Sequence, residues 1–367
     1  MKIAHLTSVH PRFDTRIFHK QCRSLAAAGH EVTLVVADGK GPASQHGVTI
    51  LDVGAPAGRA SRAARTMARV MQEAARLNAD LYHLHDPELL TGALWLSRRE
   101  GRVLFDAHED LPQDIMSKPY LRPWLRGTVS SAAGLFERFT CRRLDGVVAA
   151  TPFIRDKFRA LGIRCVDVNN YPILGELKAE TGWDEKRREV CYVGGINAVR
   201  GAVEIVDALE LLRTDSRLNL AGVFQEKRIE DTVRRAKGWS LVNEFGFLDR
   251  QGVRNVLSRS VAGLVTLHPT SAYLASLPVK MFEYMSAGIP VIASNFPLWR
   301  EIVEGSECGL CVDPLDPKAI AAAIDQLVEN PLLAKRMGEN GRRAVVERYN
   351  WANEERKLLQ IYDEVTA

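Results

Sequence analysis

The residues best placed to do chemistry lie in one run of the second half, Leu277-Pro278-Val279-Lys280-Met281-Phe282-Glu283-Tyr284-Met285-Ser286-Ala287-Gly288. Pro278 suits the start of a helix and Gly288 its C-terminal cap. Three-and-four spacing puts Lys280, Glu283 and Ala287 on one face and turns Met281, Phe282 and Met285 toward a core. A lysine beside a helix N-terminus adds its charge to the dipole and the free N–H groups, a combination suited to a diphosphate. One turn on, the Glu283 carboxylate could accept hydrogen bonds from ribose hydroxyls. The same spacing also fits a surface ion pair on an ordinary amphipathic helix.

Histidines and carboxylates cluster twice in the first half, in His83-Leu84-His85-Asp86 and in Asp106-Ala107-His108-Glu109-Asp110. Both runs sit where strands end and loops begin, which invites a metal reading. The loop His10-Pro11-Arg12-Phe13-Asp14-Thr15-Arg16 offers Arg12 and Arg16 as groups expected to face a cleft and hold an anionic acceptor or a donor phosphate, with Asp14 between them. Ordinary surface arginines are the alternative. Two basic amphipathic stretches follow. Arg59, Arg62, Arg65, Arg69 and Arg76 accompany Met67, Val70, Met71 and Leu77, and Tyr120-Leu121-Arg122-Pro123-Trp124-Leu125-Arg126 leads to Leu135-Phe136 and Arg142-Arg143. Arginine beside tryptophan and leucine is how helices lie on anionic bilayers, so both stretches are expected to touch a membrane. Helices packed on a sheet would carry the same pattern. No nucleic-acid-binding motif is present, and no nucleic acid partner is expected.

The elements that must position these groups alternate. Ile3–Leu6, Glu31–Val36, Leu81–Leu84, Val103–Phe105 and Gly146–Ala149 read as strands, with a helix over Ile17–Ala28 closed by Gly29. Apolar strands separated by helical stretches imply a parallel sheet. The rhythm breaks near residue 170, the polar stretch 175–188 reads as a linker, and Val190–Gly195 opens a second series with strands near 218–221, 261–265 and 290–293. The expected architecture is α/β with a domain over 1–170, a second over 171–350, and a C-terminal helix over 351–367 that crosses back to the first. A cleft between facing strand ends is where such folds bind ligands.

At 367 residues, with 46% apolar and 26% charged residues, the chain can build two cores. Lys and Arg outnumber Asp and Glu by 7 over residues 1–170 and fall short by 3 thereafter, for a net +4, so the first half is expected to meet something anionic. No apolar run of membrane-spanning length and no leader-like start are present, which makes a cytoplasmic location the expectation. The six cysteines are scattered; only Cys308 and Cys311 have metal-like spacing, with no second pair to complete a site. No G-x-G-x-x-G follows the first strand, which argues against a Rossmann dehydrogenase.

The Lys280–Glu283 segment resembles the donor-binding helix of glycosyltransferase family 4, retaining enzymes of GT-B fold. Asp14-Thr15-Arg16-Ile17-Phe18 with Ser24–Val32 resembles the family's opening, Tyr192-Val193-Gly194-Gly195 the start of its second domain, and Glu301-Ile302-Val303 and Gly309–Pro314 its later landmarks. The resemblance implies a fold of two Rossmann-like parallel-sheet domains and a UDP- or GDP-sugar donor with no other cofactor and no catalytic metal. It places Gly194, Gly195, Arg200, Lys280, Glu283, Ser271 and Tyr273 around the donor, and Arg200 and Lys280 on its phosphates. His108 matches the first-domain histidine near the donor sugar, so His108, Arg200 and Lys280 are the catalytic candidates, and Glu109 and Asp110 join Arg12, Asp14 and Arg16 on the acceptor side. Two departures stand out. Where the family usually has a glutamate eight positions before Glu283, this chain has Ala275; where an arginine usually follows the Val-Gly of the first second-domain strand, it has Gly195, leaving Arg200 to stand for the nearby lysine. The resemblance implies hexose transfer to a lipid-linked or growing glycan acceptor in cell-surface polysaccharide synthesis, at the inner face of the membrane. A GT-B sugar-nucleotide epimerase and a non-catalytic sugar-nucleotide-binding partner of another transferase are the alternatives.

Overall fold

The computed structural model describes residues 1–56, 58, 65–99, 101–117, 121–177 and 182–367. The chain divides into two units, Met1–Asn170 with Asn353–Ala367, and Tyr171–Ala352. In the first, the strands β1 (Lys2–Leu6), β2 (Glu31–Val36), β3 (Ala43–Gln45), β4 (Val48–Asp52), β5 (Leu81–Leu84), β6 (Arg102–Ala107), β7 (Gly146–Ala149) and β8 (Cys165–Asp167) form one sheet in the order β3-β4-β2-β1-β5-β6-β7-β8. Every pairing is parallel except that of β3 with β4. The strand order reverses at β1, whose neighbours are β2 and β5, so the crevice beyond the carboxyl ends of β1 and β5 is the ligand position such sheets favour.

The second sheet is wholly parallel. Its strands β9 (Glu189–Val193), β10 (Arg217–Ala221), β11 (Val242–Gly246), β12 (Ala262–Val265), β13 (Val291–Ser294) and β14 (Gly309–Val312) lie in the order β11-β10-β9-β12-β13-β14 and reverse between β9 and β12. Period-two alternation gives this sheet a core on each face. Cys191, Val265, Val291 and Ala293 join one, and Val190, Tyr192, Leu264 and Ile292 the other. The helix Val279–Ala287 packs Met281, Phe282 and Met285 into the first of these, as its spacing predicts, and buries Ala287 as well. Gly288 ends it at φ +73°, a left-handed cap that a side chain would strain.

Several local expectations need correction. The helix expected over Ile17–Ala28 begins earlier as a wide π-helical turn, Thr15–Cys22, and continues as an α-helix only over Arg23–Ala27. Asp14 caps it, accepting from the backbone N–H of Arg16 at 2.8 Å and of Ile17 at 2.9 Å. The short polar strand β3 and the strands β4, β8 and β11 escape a reading tuned to long apolar runs. The stretch read as a linker is partly packed: Leu177 is buried in the second unit's core and Trp183–Glu185 form a 3₁₀ turn. The last helix, Trp351–Thr366, is tied to the first unit by Glu354, which accepts from the Asn169 backbone at 2.7 Å, by the Lys357–Asp167 ion pair at 3.0 Å, and by Tyr362, whose hydroxyl meets His83 Nδ1 at 2.7 Å.

Candidate active site

At the switch point of the second sheet, Gly194 and Gly195 follow β9, and the chain turns through the 3₁₀ segment Ala198–Arg200, whose start is capped by Asn197 accepting from the Arg200 backbone at 3.0 Å. Gly222 presses on this turn: at φ +153°, a Cβ there would stand 1.8 Å from the Gly194 carbonyl. A Cβ on Gly195 would stand 2.7 Å from the Gln225 amide and 2.9 Å from an Arg200 guanidinium nitrogen, so the bare backbone leaves room that those side chains border. The place where the family's arginine would stand is thus already lined by Arg200, which approaches the Gly195 carbonyl at 3.3 Å and the Tyr273 hydroxyl at 3.5 Å.

Lys280 comes to the same turn from the first turn of its helix. Its Nζ lies 3.6 Å above the Tyr192 ring and 3.3 Å from where a Gly194 Cβ would be. That nitrogen is out of contact with solvent and has no hydrogen-bond partner among the described residues. Burial, and then the charge of Arg200, push its pKa well below the ordinary lysine value. Neither Lys280 nor Arg200 is paired with a carboxylate among the described residues, so two cations converge without compensation, an arrangement that a bound anion relieves. Glu283 is not an ion-pair partner of Lys280. Its carboxylate meets Arg250 at 2.7 Å, and Arg250 also holds Glu176 at 2.7 Å. Tyr273 lies against Arg200, whereas Ser271, on the same short helix Ser271–Leu274, is exposed.

The first unit gathers a separate set at its own switch point. Asp106, at 0% exposure, receives Arg16 at 2.6 and 3.0 Å, Gln21 at 2.8 Å and His85 Nδ1 at 3.2 Å, and lies 3.3 Å from His108 Nε2. Burial raises a carboxyl's pKa, but here the Arg16 charge and the neighbouring histidines outweigh it and hold Asp106 well below the carboxylate range. His108 is partly exposed, and its ring lies 4.8 Å from that of His10, tilted by 43°. His10 lies 3.4 Å from Asp86, which also accepts from the Thr7 hydroxyl at 2.8 Å and the Ser8 backbone at 2.6 Å. Thus His10 and Asp86 belong to the surroundings of His108, which their types alone did not reveal; their position just after β1 and β5 was the available signal.

Three of the acceptor-side candidates, Arg12, Asp14 and Arg16, have internal partners. Arg12 is buried and spent on Asp38 at 2.7 and 2.8 Å and on the Gly41 carbonyl at 2.8 Å. Arg16 is buried against Asp106 and the Val168 carbonyl, and Asp14 caps the helix that carries it. In each case an internal partner has taken the charge expected to meet a ligand. Asp110 is likewise engaged, by Lys157 at 3.0 Å, while Glu109 is exposed. Of the basic stretches, Arg59, Arg62 and Tyr120 lie outside the described residues. The helix Met67–Leu77 buries Val70, Met71 and Ala74 in the core, so its apolar face is taken by the sheet rather than left for a bilayer. Among the described residues no helix is long and apolar enough to cross a membrane.

Two largely parallel sheets, each with a switch point, are the architecture of the GT-B fold. The model for glycosyl transferases group 1 matches residues 175–344, and that for the glycosyl transferase 4-like domain matches 15–169. A phosphatidyl-myo-inositol mannosyltransferase from Mycobacterium leprae is 24% identical over 78% of this chain and 74% of its own length; another mycobacterial relative is matched over 52% of its length. Sucrose-phosphate synthase from Thermosynechococcus elongatus superposes with a TM-score of 0.77 at 19% identity, over 99% of this chain and 98% of that one. The Anabaena protein HepE, solved with UDP-glucose, gives 0.74 at 17% identity over 99% and 100%. The chain belongs to the group 1 glycosyltransferases, with a family 4-like first domain, and is a glycosyltransferase.

Arg16→Ala is expected to leave Asp106 charged, buried and without its cation, at a cost of about 3–5 kcal/mol. Urea unfolding followed by circular dichroism checks this; a loss below about 1 kcal/mol would return Arg16 to the pool of residues free to bind a ligand.

Proposed function

We propose that the protein transfers a hexose from a UDP- or GDP-sugar to a lipid-linked or growing glycan acceptor, with retention of anomeric configuration and without a metal. The observation that carries this reading is the Lys280 ammonium, held out of water beside Gly194 with no hydrogen-bond partner among the described residues and with Arg200 beside it. Charge grows on the diphosphate as the glycosidic bond breaks, and two fixed cations in a dry site stabilise that charge without reorganising. Glu283, one turn further along the helix, would accept from the ribose hydroxyls once they share or displace Arg250. Among the described residues no carboxylate pairs with Lys280 or Arg200, and the route proposed is same-face attack assisted by the departing phosphate. His108, oriented by Asp106, would hydrogen-bond the hexose. With Ala275 where a glutamate usually reads the sugar, recognition would fall to backbone amides and to Ser271 or Tyr273. The bound UDP-glucose of HepE and the acceptor named for the Mycobacterium leprae relative support a nucleotide-sugar donor and a lipid-linked acceptor.

A bilayer contact at the inner face of the cell membrane fits this acceptor. The helix Pro123–Cys141 leaves Trp124 71% and Leu135 68% exposed, with Phe136 and Phe139 also at the surface beside Arg122, Arg138, Arg142 and Arg143. Exposed aromatic and leucine side chains bracketed by arginine suit an anionic interface.

Three outcomes test these proposals. In a screen of UDP- and GDP-sugars with lipid-linked acceptors, read by product mass, Lys280→Ala/Glu283→Ala is expected to lower turnover at least ~100-fold; undiminished turnover would reject the donor site, and an isomerised donor formed without acceptor would favour an epimerase. Because a diphosphate raises the depressed Lys280 pKa toward its usual value near 10.4, UDP binding at pH 9 is expected to take up a proton. Calorimetry in buffers of different ionisation enthalpy measures that uptake, which Lys280→Met should abolish. Co-sedimentation with vesicles containing phosphatidylserine should fall at least ~10-fold in Trp124→Ser/Leu135→Ser, since each buried apolar side chain contributes about 1.5–3 kcal/mol; equal sedimentation of the variant would remove the bilayer contact.

A further inference from the structure

Three histidines of the first unit converge under its C-terminal helix. His83 lies on β5 and His85 directly follows that strand, and His5 on β1 is paired in register with His83. All three side chains are buried, their ring centroids stand 4.8 to 5.1 Å apart, and one ring nitrogen from each lies within 4.8 Å of one from each of the others.

The outward nitrogens are all taken. His5 Nε2 meets the Tyr362 hydroxyl at 3.2 Å, His83 Nδ1 meets the same hydroxyl at 2.7 Å, and His85 Nδ1 meets Asp106 at 3.2 Å. The remaining three nitrogens are His5 Nδ1, His83 Nε2 and His85 Nε2. Without a further ligand, only two of them can satisfy each other: His5 Nδ1 and His85 Nε2 share one proton at 2.8 Å, and His83 Nε2 stays buried with no partner among the described residues.

We propose that His5 Nδ1, His83 Nε2 and His85 Nε2 bind a divalent transition-metal ion of the zinc class. Metal-bound imidazoles regularly donate their other N–H to a carboxylate or a similar acceptor, and Asp106 and Tyr362 already stand in those places. An all-imidazole set suits zinc and its neighbours and disfavours calcium and magnesium, which want oxygen. Loading requires a tautomer change at His5, from Nδ1–H to Nε2–H, with the Tyr362 oxygen accepting. It also requires His5 and His85 to part slightly, because two nitrogens about 2.1 Å from a tetrahedral zinc stand roughly 3.4 Å apart. The ion would fasten β1 and β5 to the helix Trp351–Thr366 through Tyr362. It is separate from the diphosphate chemistry proposed for the second unit, which needs no metal.

The test uses the full-length, tag-free protein stripped with a chelator and then given zinc. Native mass spectrometry after gel filtration is expected to show about one zinc per chain, with a higher melting temperature by mass action. His83→Asn should retain less than about a tenth of that zinc, and His108→Asn should retain it fully. Cobalt in place of zinc should give visible ligand-field bands without near-ultraviolet thiolate charge transfer. The proposal is overturned if no zinc is retained, if His83→Asn retains as much as the unaltered chain, or if cobalt reports thiolate ligation. Should His83→Asn fail to fold, the zinc content and cobalt spectrum of the unaltered protein decide.

Discussion

Both units depend on one constraint: the strands of a parallel sheet are covered on both faces, so they carry mainly apolar side chains, with His5, His83 and Asp106 among the buried exceptions. Chemistry is therefore pushed to the strand ends, and the reversal of strand order opens a crevice at only one place in each sheet. In the second unit that place is the end of β9, where Gly194, Gly195, Arg200 and Lys280 meet. In the first it is the ends of β1, β5 and β6, where Ser8, His10, Asp86 and His108 meet. The helix that carries Lys280 is held by the buried side chains of Met281, Phe282, Tyr284, Met285 and Ala287, and that packing aims the ammonium at the glycine turn.

The two halves use charge in opposite ways. The first unit neutralises what it buries: Arg12 is matched by Asp38, Arg16 by Asp106, and Lys157 by Glu137 and Asp110. Each pairing removes a charge from what a ligand could meet. The second unit leaves Lys280 and Arg200 together with no ion-paired carboxylate among the described residues, which costs stability in the free protein and is recovered when an anion arrives. Uncompensated charge therefore marks the candidate donor site more sharply than the presence of charge does. Arginine count alone pointed to the first half.

That difference explains which parts were legible in the sequence. The strand runs Glu31–Val36, Leu81–Leu84 and Gly146–Ala149, and the helix from Pro278 to Gly288, follow from apolar period and end signals, both of which are local. Arg12 and Arg16 could not be placed the same way, because Asp38 and Asp106 lie 26 and 90 residues further along. The Arg250–Glu283–Glu176 bridge is equally long-range and changes the state in which Glu283 awaits a ligand. The polar strand β3 and the π-helical turn at Thr15–Cys22 carry no apolar period of their own, since a neighbouring strand and the Asp14 cap determine them.

His85 shows how one side chain can serve two surroundings. Its Nδ1 faces Asp106, the carboxylate that also holds His108, while its Nε2 faces the interior with His5. An ion among the three histidines would fix the His85 tautomer with its proton on Nδ1, and so would keep Asp106 as the acceptor. Asp106 would then remain a charged neighbour of His108 Nε2, favouring the tautomer with that nitrogen protonated and leaving Nδ1 as the acceptor for a sugar hydroxyl. The buried histidines would act on His108 as positioning residues, through Asp106 and through the direct approach of His85 Nδ1 to His108 Nε2 at 3.3 Å, inside one unit.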